Sequence, residues 1–174
     1  MTGRNQPAEI SRRQLIEKLN EALEDSVRYR SSSGFLLIAI DCLERVEEAH
    51  GFDVADEIIA AVAQRVRARM RNGDSLGRFS GNILGLILRN CTPEHMAAAA
   101  GRLISELREE AVQTSVACFP VTATIGGVTA PRHARTAGEA VARAQQALDT
   151  AKAKPGDAFC AYVPVPEAAR FSAA

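Results

Sequence analysis

The sequence predicts an α+β fold, with a central mixed, mainly antiparallel five-stranded sheet flanked by helices. Three observations lead there. Phe35-Leu36-Leu37-Ile38-Ala39-Ile40 is a continuous apolar run of strand length, as expected of a central strand covered on both faces. Helical stripes and strand-like runs follow one another without a regular strand-helix alternation, which argues for mixed crossovers rather than a doubly wound parallel sheet. Two short strand-like segments flank a tight turn at Gly81-Asn82 and predict a β-hairpin. At 174 residues the chain is long enough to bury one core without staples.

Each element follows from local pattern. Leu15, Ile16, Leu19, Ala22, Leu23 and Val27 recur at helical spacing and predict an amphipathic helix over 11–27, with Ser11 placed to cap it. Ser31-Ser32-Ser33-Gly34 breaks that pattern ahead of the central strand. Leu43 to His50 predicts a short helix that Gly51 ends. Asp53 to Met70 predicts a longer one, with Val54, Ile58, Ile59, Val62, Val66 and Met70 on one stripe. Strands are predicted over 75–79 and 83–88. Thr92-Pro93-Glu94 opens the next helix with proline in its first turn, and that helix runs through Leu103 and Leu107. Cys118 to Val128 reads as one strand, Thr136 to Lys154 as the last long helix, and Phe159 to Val163 as the strand that closes the sheet. By this reading residues 1–33 are an amphipathic helix and lead-in, 34–164 the domain proper, and 165–174 the start of a linker.

Composition excludes several functions. Apolar residues make up 47% and charged residues 24%, the balance of a soluble globular chain, and a formal net charge of zero removes the broad attraction that sequence-independent nucleic-acid binders need. Cys42, Cys91, Cys118 and Cys160 form no CxxC pair and share no ligand spacing with His50, His95 or His133, so neither zinc nor a disulfide framework is expected. Cys42, Cys118 and Cys160 lie in or beside apolar runs and read as small buried hydrophobes in a reducing compartment. Met1 to Pro7 lacks an apolar signal core, and no apolar run spans a bilayer. A cytoplasmic segment without membrane or nucleic-acid contact is expected.

Four motifs, in order, resemble a GGDEF domain, the family that condenses two GTP molecules into cyclic di-GMP. The first is Asp41, then Gly51, then Ala55-Asp56-Glu57. The second is Arg78-Phe79-Ser80-Gly81-Asn82-Ile83-Leu84, standing where the family has Arg-Tyr-Gly-Gly-Asp-Glu-Phe. Thr122-Ala123-Thr124-Ile125-Gly126-Gly127-Val128 resembles the later Ser-Ile-Gly-Val strand, and Ala147-Leu148-Asp149-Thr150-Ala151-Lys152 resembles the Ala-Leu-Tyr-x-Ala-Lys helix end. The resemblance covers about 35–163 and implies a ferredoxin-like, nucleotidyl-cyclase palm fold.

It also implies where catalysis would sit, and there the sequence departs. The family holds Mg²⁺ with an acid at the end of the first strand and another in the signature turn, because Mg²⁺ takes hard oxygen ligands. Here those positions are Ala39 and Asn82, and the signature's fourth, acidic position is Ile83. Loss of Mg²⁺ binding and of catalysis is the expectation, with no cofactor. Of the nucleotide pocket, Glu47 replaces the guanine-reading Asn, while Asp56 is retained and can accept from a guanine edge. Lys152 remains as a phosphate contact, Pro155-Gly156-Asp157 stands where the family has Gly-Arg-Asn, and Glu44 replaces a lysine. Asp41, Glu47, Asp56, Ser80, Gly81, Asn82 and Lys152 thus mark a degenerate pocket in which GTP binding is weakened or lost. Structural readings stand beside these: Asp56 as a first-turn acid, Asp53 as its N-cap, Lys152 as a helix-end cation, and Glu44, Glu47 and Glu48 as a solvated face.

Arg71-Asn72-Gly73-Asp74 resembles the family's RxxD inhibitory site, with Arg102 on the following helix as its third member. Arg71 can grip phosphate and Asp74 can pair with a guanine edge, although Asn72-Gly73 is also an ordinary helix stop. The resulting expectation is a catalytically inactive regulatory domain. It would bind cyclic di-GMP at Arg71, Asp74 and Arg102 and act on an attached EAL phosphodiesterase or sensor domain, with the segment from Phe159 to Pro164 followed by Glu167 and Arg170 resembling the lead into an EAL domain. Two alternatives stay open: an interaction or homodimerisation domain that binds no nucleotide, and a residual diguanylate cyclase.

Overall fold

The structure, a computed structural model, describes residues 10–154 and 158–164. Expectations for Met1 to Pro7, Pro155-Gly156-Asp157 and 165–174, including Glu167 and Arg170, lie outside those residues.

Ser11 opens α1 (Arg12–Arg28) with a full capping box: its hydroxyl accepts from the Gln14 N–H, and the Gln14 side chain returns to the Ser11 N–H. The apolar run extends to β1 (Ser33–Ile40), buried at every position. Then come α2 (Leu43–His50), α3 (Phe52–Arg67), the hairpin β2 (Ser75–Ser80) and β3 (Ile83–Leu88), and α4 (Pro93–Glu109). The chain continues through β4 (Val112–Gln113), β5 (Cys118–Phe119), β6 (Ala123–Ala130), α5 (Ala137–Lys152) and β7 (Phe159–Ala161). Thr92 and Thr136 cap α4 and α5 by accepting from the His95 and Glu139 N–H groups.

The five main strands lie in the order β2-β3-β1-β6-β7, antiparallel throughout except for the parallel β6–β7 pair, as expected. Alternate residues of β1 serve two cores. Leu36, Ile38 and Ile40 face the layer of α3 and α4, while Phe35, Leu37 and Ala39 face α1 and α5. Leu15, Leu19 and Leu23 are almost fully buried in the second layer, which ties α1 to the sheet at about 2 kcal/mol per side chain. Gly126 lets α5 come close, because a Cβ there would lie 2.2 Å from the Leu148 backbone nitrogen.

Three expectations are corrected. The strand read over 118–128 is two strands, because Pro120 lacks an N–H for the ladder; Cys118–Phe119 pairs instead with Val112–Gln113, a strand absent from the sequence reading. Asp53 does not cap α3: Gly51, at φ +88°, occupies that position and the helix starts at Phe52. Cys42 and Cys118 are exposed and Cys160 is half-buried, since they fall on a turn, an outer hairpin and the last strand; only Cys91 among the four is buried. Among the described residues no helix is long and apolar enough to cross a membrane.

Candidate functional site

The signature hairpin carries Ser80 and Gly81 exposed at its tip and Asn82 half-buried. Pairing skips a residue between Arg78 and Ser80, the mark of a bulge just before the turn. Asn82 is bound to the end of β1: its backbone carbonyl accepts from the Ile40 N–H at 2.9 Å, and its side-chain amide donates to the Ile40 carbonyl at 3.2 Å. Ala39 sits in register with Ile83 on one side and Thr124 on the other, and both apolar side chains belong to the core against α1 and α5.

Asp41 is the acid nearest this point in the chain. Its oxygens accept from the Thr122 hydroxyl at 2.9 Å and from the Thr124 hydroxyl at 3.0 Å and 3.2 Å. Asp56, on the exposed first turns of α3, is held by Arg78, whose two terminal nitrogens lie 3.4 Å from one carboxylate oxygen. The same guanidinium donates to the Gly81 carbonyl at 2.9 Å and 3.2 Å, tying the hairpin turn to α3. Arg78 belongs to the matched motif, yet no sequence signal assigned it this clamp. Glu47 is half-buried on α2 and Lys152 exposed in the last turn of α5; among the described residues neither side chain is bonded to the hairpin.

Mg²⁺ does not fit this set. Ala39 offers a methyl group, Ile83 an alkyl chain, and Asn82 turns its amide N–H toward a carbonyl that a cation would need free. Among the described residues no group of three His, Cys, Asp or Glu is arranged to hold a metal.

The second cluster forms where α3 ends. Gly73, at φ +93°, allows the chain to turn, and the Asp74 N–H donates to the Arg71 carbonyl at 3.1 Å. The Asp74 side chain is 2% exposed and both its oxygens are used by backbone: one accepts the Arg71 N–H at 2.9 Å, the other the Arg89 N–H at 3.2 Å. The Arg71 guanidinium, 58% exposed, donates to the Arg89 carbonyl at 3.2 Å. Arg102 stands exposed on α4, and among the described residues it has no hydrogen-bond or ion-pair partner.

Arg71, Asp74 and Arg102 do line one pocket, of about 240 Å³, together with Arg69, Cys91 and His95. Its charge is mainly positive. Arg69 is engaged by Glu106 at 2.8 Å. Burial pushes the Cys91 thiol above its usual pKa, so it sits in the wall as a neutral group. Such an arrangement can take an anionic oxygen from Arg102 directly, and from Arg71 once that side chain leaves the Arg89 carbonyl. Arg69 and Arg89 were missed in the sequence because their partners come from other elements, whereas His95 lies on α4 two turns before Arg102, a spacing the sequence does display.

The family model described as "Diguanylate cyclase, GGDEF domain" matches residues 10–158. The bifunctional diguanylate cyclase/cyclic di-GMP phosphodiesterase MucR of Pseudomonas aeruginosa is 25% identical over 148 residues, which make up 85% of this chain and 22% of that protein. The chain spans less than a quarter of the length of the curated relatives it matches first. The solved GGDEF domain of YfiN (TpbB) from Pseudomonas aeruginosa superposes with a TM-score of 0.85 at 21% identity, over 91% of this chain and 99% of that one. The GGDEF domain of DgcB from Caulobacter crescentus, solved with c-di-GMP, gives a TM-score of 0.83 at 14% identity over 90% of each. These two likenesses establish the α+β palm-like fold, and the family match over most of the chain establishes that this protein belongs to the GGDEF family.

Proposed function

We propose that this GGDEF domain makes no cyclic di-GMP and acts instead as a regulatory domain of cyclic di-GMP signalling. It binds the dinucleotide in the Arg71–Arg102 pocket and passes that occupancy to an attached domain such as an EAL phosphodiesterase. The observation that carries this reading is a contrast. The hairpin and the end of β1 offer no anionic side-chain oxygen at Asn82, Ile83 or Ala39, while one pocket of about 240 Å³ is lined by both Arg71 and Arg102, the latter without a hydrogen-bond or ion-pair partner among the described residues. Arg102 would meet a phosphate first, with Arg71 closing on it. The c-di-GMP held by the DgcB domain supports the ligand class, and the two activities in the name of MucR support an attached phosphodiesterase.

Calorimetric titration with cyclic di-GMP and with GTP tests this. The expected result is binding of cyclic di-GMP that Arg102→Ala weakens at least tenfold and Asp56→Ala leaves intact. Absence of heat from cyclic di-GMP at high micromolar concentration sinks the ligand site. Incubation with GTP and Mg²⁺ or Mn²⁺ is expected to yield no cyclic dinucleotide; product formation removes the proposed inactivity.

One observation favours a second reading, an interaction domain that binds no nucleotide. Both oxygens of Asp74 are taken by backbone N–H groups, so the acid cannot meet a guanine edge without giving up its turn. Protein-protein association that persists without any nucleotide, joined to an empty titration, would select it.

A further inference from the structure

Arg89, the residue after β3, is bonded on both sides. Its backbone closes the RxxD turn: the N–H donates to Asp74 and the carbonyl accepts from the Arg71 guanidinium, each at 3.2 Å. Its side chain points to α1, donating to Asp25 at 2.7 Å and lying 3.9 Å from Glu21. One residue therefore joins the pocket wall to two carboxylates on a helix more than sixty positions earlier in the chain. Gly73 packs over this side chain with room to spare, since a Cβ there would make ordinary van der Waals contact 3.6 Å from the Arg89 Cδ; its φ of +93° is what calls for glycine.

On the strength of the ligand site proposed above, we infer that Arg89 couples occupancy of the pocket to the docking of α1. A phosphate-bearing ligand that draws the Arg71 guanidinium onto itself takes away the donor to the Arg89 carbonyl. A purine edge that engages Asp74 takes away the acceptor of the Arg89 N–H. Either event frees the backbone of Arg89 and loosens the bond of its side chain to Asp25. Coupling between sites is reciprocal, so loosening α1 favours the ligand to the same extent that the ligand loosens α1. Arg89 is a positioning residue here and touches no ligand.

Amide hydrogen exchange and calorimetry on the whole chain test this with cyclic di-GMP as the probe. Cyclic di-GMP is expected to speed exchange over residues 21–28 severalfold. The variant Glu21→Gln/Asp25→Asn, which leaves the pocket untouched, is expected to bind the ligand about fivefold tighter and to abolish the ligand-dependent change in exchange. Affinity within twofold of the parent, with exchange in α1 indifferent to ligand, overturns the coupling. Should the parent bind no cyclic di-GMP, Arg71→Ala decides separately, because it removes the donor to Arg89 without any ligand. Faster exchange over 21–28 in that variant keeps the coupling while the ligand reading fails; unchanged exchange removes both.

Discussion

Asn82 and Ile40 exchange hydrogen bonds across the end of the sheet, one between backbones at 2.9 Å and one from the Asn82 amide to the Ile40 carbonyl at 3.2 Å. The amide has thus become a structural donor at a position where the family places an acid. Asn82→Asp replaces that donor with a carboxylate facing a carbonyl. The expected outcome is a loss of about 1–2 kcal/mol in urea denaturation and no gain of cyclase activity with GTP and Mg²⁺, since Ala39 and Ile83 still supply no ligand.

Within the RxxD pocket the two charges respond differently to substitution. Asp74→Ala strands two backbone N–H groups and is expected to destabilise the domain by about 2–3 kcal/mol whether or not a ligand binds. Arg102→Ala removes an exposed side chain and is expected to shift stability by no more than about 0.5 kcal/mol. Denaturation midpoints of the two variants check this, and the result makes Arg102 the cleaner probe of ligand binding.

The close approach of α5 to β6 predicts intolerance at Gly126. A methyl group would meet the Leu148 N at 2.2 Å and its Cα at 2.5 Å, both backbone atoms that cannot rotate away. Gly126→Ala is expected to cost about 3 kcal/mol, read as a lowered midpoint or loss of soluble protein. Gly138→Ala, at an exposed helical position where a Cβ would come no closer than 4.0 Å to the Thr136 hydroxyl, is expected to be neutral or slightly stabilising.

Stability should fall in mild acid. Burial lowers the pKa of His133 from 6.5, and Arg132 and Arg143 lower it further. The folded state therefore binds the proton less readily than the unfolded state, and stability present above pH 6.5 is lost as pH falls below that value. His133→Gln is expected to flatten the pH dependence of Tm between pH 7 and pH 5. Glu57 acts in the same direction at lower pH: the Ser115 hydroxyl and N–H hold its pKa below the usual value, and its contribution disappears as it protonates.

Several elements were legible because their cause is local. The helix over 43–50 and the strand over 83–88 were predicted to the residue, and Ser11 was identified as the cap of α1. Caps and stripes are set by neighbours three or four positions away, which the sequence displays. The hairpin of β4 and β5 was not legible, since two-residue strands have no periodicity to read. What holds it is Thr114, whose hydroxyl accepts from Val116 and Ala117, and Glu57, which reaches Ser115 from α3.

By itself the sequence determined the sheet and its helical layers, the motifs that resemble the GGDEF family, and the uncharged side chains of Ala39, Asn82 and Ile83. Those properties belong to residue identity and short-range spacing. Only the tertiary structure decided what the retained charges do. It brought Arg71, Asp74 and Arg102 to one pocket, gave Asp56 to Arg78, and closed Asp74 onto two backbone N–H groups. It also turned Arg89 toward Asp25, 64 positions away. A buried carboxylate or a guanidinium takes whichever partner the packed chain brings within hydrogen-bond reach, and that partner is fixed by long-range register.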